Sequence, residues 1–208
     1  WKTLFFTGFD WTMYAALLLL FAGIFTSEYD NKSSSGGFVQ ILRCCKNGRM
    51  KTWRCKYLSA ITTSLLISFI WNVIDLYGVS RSYDLPLPNA PIASLQTFKY
   101  YSSDITILRY AVYFYCIRII AALLLAVMVC ALSEIFRKYL SVLTVTVSLT
   151  LFPALMSYFG IAAFKRVDFT SLMKATPMLI DGMTLKYLFI VMFICVTMAY
   201  RTERTWNK

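Results

Sequence analysis

Five stretches of this chain are long and apolar enough to call for lipid rather than water around them, which narrows the open folds to one kind. A hydrocarbon core about 30 Å thick takes roughly 20 helical residues at 1.5 Å each. Runs approaching that length lie at about Gly8–Thr26, Tyr57–Leu76, Ile107–Leu132, Leu140–Phe164 and Leu185–Tyr200. The last is short, and Lys186 at its start can bury its stem while its amine reaches the surface. With 59% hydrophobic and 15% charged residues and a mean hydropathy of +0.61, the chain is too apolar for a water-soluble domain. The expectation is an all-α, polytopic transmembrane helix bundle forming a single domain over residues 1–208. A loop at 27–56 and two outer segments at 77–106 and 165–184 join its spans.

The loops orient the bundle, because loops on the cytoplasmic side retain Lys and Arg. Between the first two runs lie Lys32, Arg43, Lys46, Arg49, Lys51, Arg54 and Lys56 against Glu28 and Asp30. That loop is expected inside, together with the turn carrying Arg137 and Lys138 and the tail carrying Arg201, Arg204 and Lys208. The net charge of +11 is thus a matter of topology and not a nucleic-acid footprint. The carboxyl end is cytoplasmic in a multi-pass plasma-membrane protein. Five spans then put Trp1 outside. With no initiating methionine and no cleavable signal pattern, an earlier span is expected to be missing from the front.

Within the basic loop, Ser33 to Gly37 form a flexible break, and Phe38, Ile41, Leu42 and Cys45 recur at helical spacing after it. Gln40, Arg43 and Lys46 take the other face, and Asn47 with Gly48 reads as a helix stop. From Arg49 to Tyr57, Met50, Trp53 and Tyr57 alternate with basic residues, a mixture suited to the membrane interface. Periodicity leaves two readings open: a basic interfacial helix touching anionic membrane lipids, or a helix that docks a cytoplasmic partner.

The stretch from Phe25 to Leu76 carries Glu28 at a span end, Gly36 and Gly37, Ile41 and Leu42, Lys46-Asn47-Gly48-Arg49, and Lys56 opening the next span. In these features it resembles permeases of the ABC-2 type. One spacing departs from the family pattern: Asp30 to Ser35 separate Glu28 from Gly36. The resemblance implies that residues 36–47 form a coupling helix fitting a groove on an ABC ATPase subunit, with Glu28, Gly37, Phe38, Ile41, Leu42, Arg43 and Arg49 as the coupling residues. It implies a second permease subunit, identical or not, and an exporting direction. No Gly-x-x-x-x-Gly-Lys-Ser/Thr loop occurs, so ATP and Mg would bind the partner ATPase and this chain carries no cofactor of its own. The alternative reading is a non-transporting membrane anchor or sensor whose basic loop recruits a cytoplasmic partner.

An enzyme is not expected. The chain has no histidine, which removes imidazole ligands and every Ser/His or Cys/His nucleophile, and it shows no carboxylate pair at helical spacing. The six cysteines lack the regular spacing of a disulfide framework and are expected to be free thiols. Arg118 lies well inside the third run, where a charge costs at least about 2.5–3.5 kcal/mol. Asp75 is its nearest partner in depth, either as a structural ion pair or as part of a substrate contact. Glu134, beside Arg137 and Lys138, reads as a solvated turn. Pro153 in the fourth run is either a hinge or a tolerated kink. Between Gly78 and Thr106, Pro86, Pro88 and Pro91 predict an extended stretch and then a short helix.

Overall fold

The computed structural model describes residues 1–5, 10–27, 48–83, 87–98, 105–160 and 169–175, with 192–193, 196–197 and 200–201. Among these the regular elements are helical: α1 (Lys2–Phe5), α2 (Trp11–Ser27), α3 (Gly48–Ser82), α4 (Ile107–Phe136), α5 (Tyr139–Tyr158) and α6 (Phe169–Lys174). Three of them, α3, α4 and α5, are long and apolar enough to cross a bilayer, as expected of a membrane protein. The 17-residue α2 is shorter but carries no charged residue at all. Residues 36–47 and most of the fifth run, 185–200, lie outside the described residues.

Several boundaries differ from those read in the sequence. The second run was expected to begin at Tyr57, but α3 is a single 35-residue helix from Gly48 to Ser82. Gly48 is its first residue, and no proline interrupts the chain from there to Pro86; the residues before Gly48, where a helix stop was read, lie outside the described residues. The third helix continues past Leu132 to Phe136 and ends where Arg137 turns left-handed (φ 55°), its N–H donating to the Ser133 carbonyl at 3.0 Å. The fourth ends at Tyr158 and not at Phe164, since Gly160 takes φ +88° and closes the last turn onto Ser157. Pro91 is followed by two 3-10 turns, Ile92–Ser94 and Gln96–Phe98.

The bundle is centred on α4, which packs against α2, α3, α5 and α6. Its core-facing residues include Ala111, Ala121, Ala122 and Ala126, and α3 offers Ala60, Ser64, Ser68 and Asn72. Small side chains at this spacing let two helix backbones approach closely, which supplies packing where lipid removes the hydrophobic drive between helices. The opposite face of α3 exposes Leu65, Leu66, Phe69, Ile70, Val73 and Ile74. Large apolar groups outside and small or polar groups inside is the reverse of a soluble helix, and lipid is the solvent that rewards it. At one end, Phe5 stacks edge-on against Tyr110 (4.8 Å), Phe114 (5.7 Å) and Phe98 (6.2 Å), which ties α1 and the 3-10 turns to the start of α4.

Asn72 is buried, and neither its amide nitrogen nor its oxygen has a hydrogen-bond partner among the described residues. Asn72→Leu should therefore stabilise the bundle by about 1 kcal/mol, by removing a desolvated amide at nearly constant volume. Ala60→Leu, which overpacks the α3–α4 seam, should destabilise it by about 1–3 kcal/mol. Unfolding of the purified chain by SDS, followed by circular dichroism, measures both, and a loss of stability in the Asn72 variant would contradict the packing described.

Candidate functional site

An aspartate directly before an apolar run is a strong helix start, because its carboxylate can accept from the first free N–H groups. Asp10 does this for α2: its Oδ1 accepts from the Met13 N–H at 3.0 Å and from the Thr12 hydroxyl at 2.7 Å. The other oxygen, Oδ2, faces the bundle and accepts from Trp71 Nε1 on α3 at 2.7 Å and from Arg118 Nη2 on α4 at 3.0 Å. The second guanidinium nitrogen of Arg118, Nη1, donates to Asp75 Oδ2 on α3 at 2.7 Å. The guanidinium also stands 5.6 Å from the Phe114 ring centroid. Arg118 is 94% buried, Asp10 mostly buried, and Asp75 one-third exposed at 34%. Two carboxylates against one guanidinium leave the cluster with a formal charge of −1.

A second buried pair closes the other end of the same three helices. Lys56 Nζ of α3 lies 4.0 Å from Glu134 Oε1 of α4, with side chains only 3% and 2% exposed, and 5.4 Å from the Phe25 ring of α2. Each cluster thus draws one group from α2, one or two from α3 and one from α4. From Arg118 to Glu134 the α4 rise is about 24 Å, and from Asp75 to Lys56 along α3 it is about 28 Å. Neither helix carries a charged residue in between. A bilayer core is of this order, a spacing that would set the two clusters at its margins. Trp11, Trp71 and Tyr77 gather at one margin and Trp53, Tyr57 and Tyr139 at the other, as aromatic side chains do at a lipid–water boundary.

The structure brings Asp75 and Arg118 together. Glu134 is corrected: it does not sit in a solvated turn but inside α4, buried against Lys56, because the helix continues one turn past the expected end. Asp10 escaped the sequence reading, although its place before Trp11-Thr12-Met13 is a capping signal. Pro153 sits within α5, which runs on to Tyr158, and lines a shallow apolar groove with Val145, Leu149 and Phe152. Arg49 lies in the first turn of α3. Glu28, Gly37, Phe38, Ile41, Leu42 and Arg43 fall outside the described residues. Cys55, Cys116 and Cys130 are free thiols. Among the described residues no three Cys, Asp or Glu side chains gather as a metal site would need.

No family model matches the chain. No curated protein and no solved structure matches it either.

Arg118→Ala should destabilise the bundle by about 3 kcal/mol, since it leaves two carboxylates at one site without their cation. Arg118→Lys should rescue little of this, because a single ammonium cannot bridge two carboxylates as the fork does. The exchange D75R/R118D should also fail to restore full stability, since it sets a carboxylate beside Asp10. SDS unfolding of the four proteins tests the three-sided arrangement, and full recovery in the exchanged chain would contradict it.

Proposed function

We propose that the chain is the membrane subunit of an ABC-2 type transporter, an exporter working as a pair of such subunits driven by two separate ATPase chains. In this reading the Lys56–Glu134 end faces the cytoplasm, and the loop helix at 36–47 fits a groove on the ATPase. The observation that supports it most is the continuity of α3. This helix starts at Gly48, in the Lys46-Asn47-Gly48-Arg49 stretch of the resemblance, and reaches Asp75 about 40 Å away without a break. A displacement delivered to the loop by nucleotide-driven closure of the ATPases would travel along one rigid rod to the cluster at the far margin. Rigid-body movement of helices is the way such a push becomes alternating access.

The roles follow from position. Phe38, Ile41 and Leu42 supply the apolar face that seats on the ATPase, and Arg43, Arg49 and Glu28 supply charged contacts around it. Asp75 and Arg118 hold α3 to α4 at the end away from the ATPase, and Pro153 gives α5 one missing backbone bond at which it can bend.

Copurification of the full chain with its ATPase tests the assignment. Phe38→Asp and Leu42→Asp should each lower the recovered ATPase at least about tenfold, the scale on which a buried interface anchor acts. Unchanged recovery in both variants would refute the coupling role. Recovery of a cytoplasmic protein that is not an ATPase would instead favour a membrane anchor.

A further inference from the structure

Four cations at the Lys56–Glu134 end of the bundle, Lys56, Lys51, Arg54 and Lys138, have two kinds of surroundings. Lys56 is buried and neutralised by Glu134. Lys51 and Arg54 lie on α3 only two to five residues nearer its start, roughly 3–8 Å beyond that pair. Both are exposed, and neither has a carboxylate partner among the described residues. Lys138 is likewise exposed and without one, four residues past Glu134 in the turn between α4 and α5. Because α3 and α4 are joined at Lys56–Glu134 and run in opposite directions, the three cations occupy one layer.

Directly beneath that layer the surface changes character. Leu58 of α3, Ile135 of α4 and Leu140 of α5 are 63%, 57% and 72% exposed, on three different helices. Apolar exposure that begins within a few residues of a layer of uncompensated cations matches a leaflet boundary, where acyl chains end and phosphates begin.

We propose that the first turns of α3 and the α4–α5 turn form a site for the headgroups of anionic phospholipids, held by Lys51, Arg54 and Lys138. Each cation meets a phosphate while its stem lies along the apolar ring below. The site does not depend on the transport reading.

Trp53, between Lys51 and Arg54, provides a local reporter. The full chain is reconstituted in phosphatidylcholine vesicles, and tryptophan fluorescence is quenched with brominated phosphatidylglycerol or, separately, brominated phosphatidylcholine. Quenching should require roughly tenfold less of the anionic lipid, and Trp53→Phe should remove most of that difference. K51Q/R54Q/K138Q should abolish the preference, whereas K51R/R54K/K138R keeps it. Should the glutamine variant fail to fold, the wild-type chain still decides: salt raised from about 0.1 to 1 M should erase the preference by screening. Equal quenching by the two lipids, leaving the cations to an acidic protein, would overturn the assignment. So would a preference that survives the glutamine substitutions, high salt or the loss of Trp53.

Discussion

Arg118 is accommodated inside this bundle because carboxylates from two other helices close on it from two sides. An isolated guanidinium at that depth would cost several kcal/mol, and one carboxylate would offset it along a single edge. The fork of the guanidinium reaches Asp75 with one nitrogen and Asp10 with the other, so three helices share one cation. Asp10 is in turn held by the α2 N-terminus that it caps. The start of α2 and the pairing of α3 with α4 therefore depend on the same carboxylate.

The rest of the α3–α4 seam gives this cluster its importance. Alanines and serines bring the helices close, but a surface of small side chains has few knobs and holes to set register. In lipid no hydrophobic drive between helices corrects a slip of one turn. Polar clusters at both ends do that work, with Arg118 at one margin and Lys56–Glu134 at the other. The charge-free length between them, about 24–28 Å by helical rise, fits a single bilayer thickness.

Much of this was legible in the sequence, for reasons that also explain what was not. The apolar runs are long, so the three helices able to cross a bilayer followed from hydropathy, and the pairing of Asp75 with Arg118 followed from topological depth. Asp10 was invisible to that count because it stands at the start of a run, where a carboxylate looks like a water-facing end. Only its second role, toward Trp71 and Arg118, brings it into the site. Glu134 misled for the opposite reason: Arg137 and Lys138 are close in sequence, while its true neighbour Lys56 lies 78 positions away. The start of α3 was obscured because the basic residues from Arg49 to Lys56 lower the hydropathy of its first turns, although the helix runs through them.

The two clusters together limit how α3 can move. At Arg118 the contacts are a fork at 2.7 and 3.0 Å, backed by the Trp71 bond to the same aspartate. At the other end Lys56 Nζ stands 4.0 Å from Glu134 Oε1 and 5.4 Å from the Phe25 ring centroid. Because α3 is one rod, an axial slide against α4 must disturb both clusters together. Movement of α3 along its axis is therefore coupled to that of α4.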